Sequence, residues 1–291
     1  MSASENQAND TLAIIAGAGR LPQLLVAECQ RLARPFQIIT FAGVDHEDFG
    51  VHPVFVAEFE KIGAVFDHMR TSGCTGVVFA GAMQRPALDP NRFDASFTKI
   101  APRLQPVLQG GDDGLLSFIL QVFADEGFNV VSAQDVLTDL LAPPGCLTKA
   151  SPSKEDLRDI DRALEIAGAL GEVDVGQGVV VARGLCLGLE TVQGTNAMLR
   201  FVAKTNANDR RDTDGAKGVL LKCPKLGQDR RVDLPTIGPN SVVGAANAGL
   251  AGIAVAAGGV IIIDKAATIA KADALGLFIV ALEADAKAAK P

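Results

Sequence analysis

The stretch Leu12-Ala13-Ile14-Ile15-Ala16-Gly17-Ala18-Gly19-Arg20-Leu21-Pro22 decides the fold. Its five uncharged residues at 12–16 read as a short apolar strand. Gly17 to Arg20 make a tight turn. Pro22 then suits the first turn of a helix, where a missing N–H costs nothing and the fixed φ is already helical. Leu24, Leu25, Cys29 and Leu32 follow as the apolar face of that helix. Strand, glycine turn and helix in this order make the first half of a βαβ unit, and the chain beyond keeps the alternation. Residues 36–41 and 54–56 read as strands, 61–69 as a helix, and 76–80 as a strand buried on both faces. Asp112 caps a helix carrying Leu115, Leu116, Ile119, Val122 and Phe123; 128–131 is a strand and 132–141 a helix. This spacing predicts a parallel sheet covered on both faces, a Rossmann-like N-terminal domain over 10–143.

The second half differs in texture. Ala142-Pro143-Pro144-Gly145 marks the boundary, and 144–152 reads as a linker. Ser151 suits an N-cap, Pro152 the first helical position, and Leu157, Ile160 and Leu164 an apolar face. Residues 178–189 read as two strands joined near Gly184, 197–203 as a short helix, and 206–215 as a charged surface loop. Residues 217–223, 248–263 and 276–282 supply more sheet, giving a mixed α/β domain over 153–291. Residues 241–263 carry no charge over a length that would span a bilayer. They are mostly Ala and Gly, contain Asn247, and turn at Gly258-Gly259, so a buried helix, strand and hairpin is the expectation. No repeat of fixed period is present.

The chain's 291 residues fit two domains at roughly 150 residues each. A charge of −7, from 27 Lys+Arg and 34 Asp+Glu, with no basic stripe, argues against a nucleic-acid binder. The absences constrain chemistry further. There is no Tyr and no Trp, and the only imidazoles are the clustered His46, His52 and His68. A Tyr general acid is therefore excluded, and so are His-rich binuclear phosphoesterases. Cys29, Cys74, Cys146, Cys186 and Cys223 are scattered without a Cys-x-x-Cys pair, and read as reduced core thiols of a cytosolic protein. The polar, acidic start, residues 1–10, is no secretory signal.

Four places could carry chemistry. Gly17-Ala18-Gly19-Arg20 at a helix start can present N–H groups and the positive helix end to a phosphate, although Pro22 stands where a dinucleotide fingerprint wants its third glycine and Asp45 comes late for the ribose carboxylate. Asp112 and Asp113 after Gly110-Gly111 offer two carboxylates to a divalent cation, or simply a helix cap. Gly194-Thr195-Asn196 precedes a helix, with Thr195 placed to cap it. The densest polar cluster runs from Lys222 to Gly238 and includes Lys225, Gln228, Asp229, Arg230, Arg231, Asp233 and Thr236. Arginine forks suit phosphate oxygens, and a neighbouring carboxylate can position Mg²⁺ or activate water. Phosphate-suited turns, carboxylates and no usable His together point to a diphosphate substrate with a divalent ion.

These residues also resemble a known family. Residues 15–22, Gly111-Asp112-Asp113, the run from Gly194 to Arg200, the run from Arg231 to Gly238, and Ala248-Gly249-Leu250-Ala251-Gly252-Ile253 are similar to the LpxI family, UDP-2,3-diacylglucosamine pyrophosphatases. The resemblance implies a two-domain cytoplasmic enzyme of lipid A biosynthesis. Such an enzyme splits UDP-2,3-diacylglucosamine into UMP and 2,3-diacylglucosamine 1-phosphate (lipid X) with Mg²⁺, holding the lipid between its domains. It implies transient contact with the inner-membrane surface, no nucleic-acid partner, and leaves a homodimer open. Carried over, Asp233 matches the family's essential acid and becomes the first choice for catalysis and metal positioning, with Asp112 and Asp113 as further metal candidates. The resemblance makes Arg231 the expected catalytic cation. The expected substrate contacts are Gly17, Ala18, Gly19, Arg20, Gly81, Ala82, Thr195, Asn196, Lys222, Gln228, Arg230 and Thr236, with Phe93 and Phe97 as candidates to line an acyl channel. Two positions depart from the family: Asn196 stands where it usually has Asp, and Ala82 where it often has Asn or Lys. An amide carries no charge, so Asn196 keeps a second reading open, a non-catalytic UDP-sugar or lipid binder. The glycine turn keeps a third, an NAD(P)-dependent oxidoreductase.

Overall fold

A computed structural model describes residues 10–108, 112–205, 218–225, 230–231 and 234–283, with the side chains of Asp112 and Asp113 left aside. The chain divides into two units, Met1–Thr138 with Asp229–Asp233, and Asp139–Gln228 with Leu234–Pro291.

In the first unit β1 (Thr11–Ala16), β2 (Phe36–Phe41), β3 (Val54–Ala57), β4 (Cys74–Ala80) and β5 (Asn129–Val130) form one sheet. Its order is β3-β2-β1-β4-β5 and every pairing is parallel. β1 lies at the centre, which is why residues Leu12 to Ala16 are at most 1% exposed and why the sequence needs an unbroken apolar run there. The chain moves outward through β2 and β3, then crosses back to β4 on the other side of β1. The carboxyl ends of β1 and β4 therefore flank a topological switch point, where open α/β sheets bind ligands.

The helices of this unit are α1 (Leu21–Arg31), α2 (Ile62–Thr71), α3 (Ala95–Val107), α4 (Asp112–Asp125) and α5 (Ala133–Val136). Phe66 of α2 meets Phe123 of α4 edge to face at 5.2 Å in the core. α3 is invisible to helix-reading rules because Pro102 and Pro106 lie inside it. It is held at its start by Asp94, whose carboxylate accepts from the Phe97 amide at 2.7 Å and the Gly63 amide at 2.8 Å. The helix expected over 132–141 stops after Val136. Leu140 and Ala142 bury themselves instead through extended pairing: Ile262 N–H donates to Leu140, and Ala142 N–H to Val260.

The second unit contains β6 (Gly145–Cys146), α6 (Lys154–Gly171), β7 (Gly178–Ala182), β8 (Leu185–Leu189), α7 (Gly194–Thr205) and β9 (Val219–Lys222). It continues with β10 (Thr236–Ile237), α8 (Pro239–Asn247), β11 (Gly252–Ala256), β12 (Ile261–Ile262), α9 (Lys265–Leu275) and β13 (Phe278–Leu282). The main sheet has the order β6-β13-β11-β9-β7-β8. β13, β11 and β9 are parallel, whereas β6, β7 and β8 run antiparallel to their neighbours. The β7–β8 hairpin turns at Arg183 and Gly184, both with positive φ, the backbone of a tight two-residue hairpin loop. Buried Asp159 accepts from both turn amides, at 3.0 and 2.8 Å.

Three local expectations change. Residues 144–152 include β6, an edge strand of the sheet. α6 starts at Lys154, capped by Ser153 with Asp156 in a reciprocal pair of hydrogen bonds, so Ser151 and Pro152 precede the cap. The uncharged stretch 241–263 does hold a buried helix and a strand, but no hairpin: β11 pairs with β9 and β13, while β12 pairs in parallel with β10. Among the described residues no helix is long and apolar enough to cross a membrane.

Candidate active site

The expected site residues gather at two places, each within one unit. At the switch point of the first sheet, the turn after β1 and the turn after β4 interlock through their main chains. Gly17 N–H donates to Ala80 at 2.8 Å, Ala18 N–H to Ala82 at 2.8 Å, and Ala82 N–H to Ala18 at 3.0 Å. The glycines are what allow this approach. A Cβ on Gly17 would lie 2.5 Å from the Ala82 carbonyl oxygen, and one on Gly81 would lie 2.6 Å from that of Ala18. Gly81 also holds φ +89° and Gly19 φ +94°, which side chains resist.

Gly17, Ala18, Gly19, Arg20, Gly81 and Ala82 are thus brought together. Gly17 is buried, whereas Gly19, Arg20, Gly81 and Ala82 are exposed at the rim. Two amides that a phosphate cradle would use, those of Gly17 and Ala18, already serve the β4 turn. The positive start of α1, with no acidic residue in its first turn, can still face an anion, and the exposed Arg20 beside it donates to Gln23. This leaves little of a dinucleotide cradle, in keeping with Pro22 at the third glycine position.

The second gathering sits at one end of the second unit's main sheet. Lys222 is the last residue of β9, and its side chain is only 6% exposed. Its ammonium donates to Thr195 Oγ1 at 2.8 Å and stands 3.3 Å from Glu190 Oε2. Thr195 in turn donates to Glu190 Oε1 at 2.7 Å. Thr195 lies inside α7, one residue beyond its start, and its hydroxyl turns to the sheet and caps no amide of the helix. Asn196 beside it is exposed. Glu190 had no place in the sequence reading. A lone acid after an apolar strand carries no motif, and its partners are five and thirty-two positions away.

Arg230 and Arg231 are exposed, and the Arg230 carbonyl accepts from Gln134 Nε2 at 2.8 Å. Thr236 donates to the Leu234 carbonyl at 3.2 Å within its own strand end. Gln228 and Asp233 fall outside the described residues, and of Asp112 and Asp113 only the helical backbone is described. Among the described residues no three His, Cys, Asp or Glu side chains stand close enough to hold a metal ion. Phe93 and Phe97 pack with their rings tilted at 33° and centroids 4.3 Å apart, with Phe97 buried. The cysteines are free, as expected, but not all are core thiols. Burial pushes Cys29 and Cys74 up to about 11, whereas Cys146 and Cys186 are exposed.

Comparison with known proteins follows the same division of the chain. Residues 11–140 match the LpxI N-terminal domain and residues 143–280 the LpxI C-terminal domain. The chain is 41% identical over 272 residues to the protein named UDP-2,3-diacylglucosamine pyrophosphatase LpxI of Caulobacter vibrioides, covering 94% of this chain and 97% of that relative. With both domains matched in order and a relative this similar along nearly its whole length, the chain belongs to the LpxI family.

Proposed function

We propose that this protein hydrolyses the diphosphate of UDP-2,3-diacylglucosamine to UMP and 2,3-diacylglucosamine 1-phosphate in lipid A biosynthesis. The observation that carries the reading is the 41% identity, sustained over 94% of the chain, to a protein named for that pyrophosphatase activity. Water is the nucleophile. Its oxygen bonds to one phosphorus, the bridging P–O bond breaks, and the bridging oxygen leaves with the electron pair on the other phosphate. The carboxylate of Asp233, which the resemblance to the family marks as the essential acid, takes the proton from the attacking water, a general-base role that suits an acid in a chain this poor in imidazole. Arg230 and Arg231, exposed beside it in sequence, offset the charge that builds on the phosphate oxygens. The start of α1 with Arg20 supplies a further anion-binding end.

Mg²⁺ belongs to this proposal as the expected cofactor. Bound to the diphosphate it would neutralise phosphate charge. Among the described residues no three His, Cys, Asp or Glu side chains cluster to hold it. The acyl chains need an apolar wall. A groove of about 310 Å³ along α7, lined by Leu189, Ala197, Met198 and Phe201 among others, offers one. A lipid substrate of this kind would bring the protein to a membrane surface only during turnover.

The test incubates the purified protein with UDP-2,3-diacylglucosamine and Mg²⁺ and follows UMP and lipid X. Release of both, abolished by EDTA and by Asp233→Ala, is the expected result. Binding of the substrate without UMP release would favour the non-catalytic reading that Asn196 keeps open, and appearance of turnover on Asn196→Asp would then mark a decayed enzyme.

A further inference from the structure

Lys222 and Glu190 belong to strands that are not neighbours. β7 lies between β9, which ends at Lys222, and β8, which Glu190 follows. In the register Gly178 of β7 faces Lys222 on one side, and on the other its carbonyl accepts from the Glu190 amide at 2.8 Å. Adjacent strands are about 4.8 Å apart, so the two long side chains must meet over the strand between them. Gly178 makes that possible, because a Cβ there would sit 2.3 Å from Glu190 Oε2. Gly176, at φ +57°, gives the same residue room on its backbone side, where a Cβ would lie 1.9 Å from the Glu190 carbonyl oxygen.

The ion pair is poorly arranged for stability alone. Two buried charges lose hydration that their attraction only partly restores, and an apolar pair of the same size often serves as well. Glu190 Oε2 is buried with no hydrogen-bond partner among the described residues, so the cluster is not even fully satisfied. What the arrangement does fix is direction. The only proton of the Thr195 hydroxyl goes to Glu190, and one of its lone pairs takes Lys222. Both bonds draw the first turn of α7 onto the end of the sheet, and that turn carries the exposed Asn196.

We propose that Glu190 is a positioning residue. Acting through Lys222 and Thr195 across Gly178, it pins the start of α7 so that Asn196 and the neighbouring amides stand ready for the substrate's diphosphate. The inference rests on the pyrophosphatase reading above.

The test compares wild type with Lys222→Met, Glu190→Gln and the double variant, measuring thermal unfolding together with kcat and KM for UDP-2,3-diacylglucosamine. Lys222→Met alone, which leaves a carboxylate buried without its cation, lowers the unfolding midpoint, and the neutral double variant restores it. The double variant nevertheless turns over about 10²-fold more slowly, the scale expected of a misplaced site, with KM unchanged. A double variant with wild-type midpoint and wild-type kcat makes the cluster purely structural and overturns the proposal. If the double variant does not fold, Thr195→Val cuts the same link at constant shape, and wild-type kcat in that variant overturns it equally. A wild-type protein that releases no UMP overturns the pyrophosphatase reading, and this inference with it, which separates the two failures.

Discussion

The two gatherings of candidate residues solve one problem in opposite ways. At the first sheet's switch point, glycines let main chain meet main chain: Gly17 and Gly81 press against the carbonyls of Ala82 and Ala18. At the second sheet's end, a glycine lets side chain cross main chain, because Gly178 clears the path between Glu190 and Lys222. The interlock of the first arrangement is rigid, uncharged main chain, with helix and backbone dipoles and the exposed Arg20 at its rim. The second stores a buried charge pair whose geometry depends on every partner being present. The rigid backbone excludes any side chain at its two glycines, whereas the charge cluster gives orientation at the cost of sensitivity to the loss of any one partner.

That contrast ranks the effects of substitution. The largest belongs to Glu190→Ala, which leaves the Lys222 ammonium buried without its carboxylate and should cost about 3–5 kcal/mol in urea unfolding. A loss under 1 kcal/mol would mean that the pair behaves like a solvated one, and the contrast between the two regions would collapse. Next comes Gly81→Ala. It forces a side chain onto a positive φ and into the backbone of Gly17 and Ala18, neither of which can step aside, for roughly 2–4 kcal/mol. Gly178→Ala should cost less, about 1–3 kcal/mol, because its φ is ordinary and the group it meets is the movable end of Glu190. If Gly178→Ala proves costlier than Gly81→Ala, the ranking of rigid over flexible neighbours is wrong.

The same contrast explains what could be read from sequence. The apolar run at residues 12–16, the glycine turn and Pro22 report directly on a central strand and the helix after it, because burial on both faces and a tight turn each demand particular residue types locally. The convergence of Gly17–Arg20 with Gly81 and Ala82 follows once β1 and β4 are recognised as neighbours. α3 was hidden because Pro102 and Pro106 are written against a helix, and only the Asp94 cap and tertiary packing sustain it. The end of 132–141 was hidden because its apolar residues suit extended pairing as well as they suit a helix. Glu190 could not be seen at all, since its meaning depends on strand order: it lies beside Lys222 only because β7 separates β8 from β9 and carries a glycine at that register. Lys222 reads from sequence as the first cation of a polar cluster at the end of a strand, and its burial and pairing belong to the fold.

The smallest expected effect sharpens the comparison most finely, because both units contain the same motif in different surroundings. Ser132 in the first unit and Ser153 in the second each cap a helix, each accept from the amide three residues on at 3.2 Å, and each pair with an aspartate that reaches back to the cap, Asp135 and Asp156. Ser132 is 2% exposed and starts a helix of four residues, whereas Ser153 is exposed and starts one of eighteen. Removing the hydroxyl at 153 leaves an amide that water can reach, so Ser153→Ala should cost about 1 kcal/mol. At 132 the lost hydroxyl is itself buried, while Asp135 stays exposed and can turn to water, so the extra loss comes from the buried end of the pair and Ser132→Ala should cost about 2 kcal/mol. Ser151, the cap expected from sequence, donates only a long 3.6 Å bond to Cys146 Sγ, so Ser151→Ala should stay within about 0.5 kcal/mol of wild type. Unfolding curves for the three variants place burial above motif if the order is 132, 153, 151. Equal losses at 132 and 153 would show that the capping geometry alone sets the energy and that its surroundings do not.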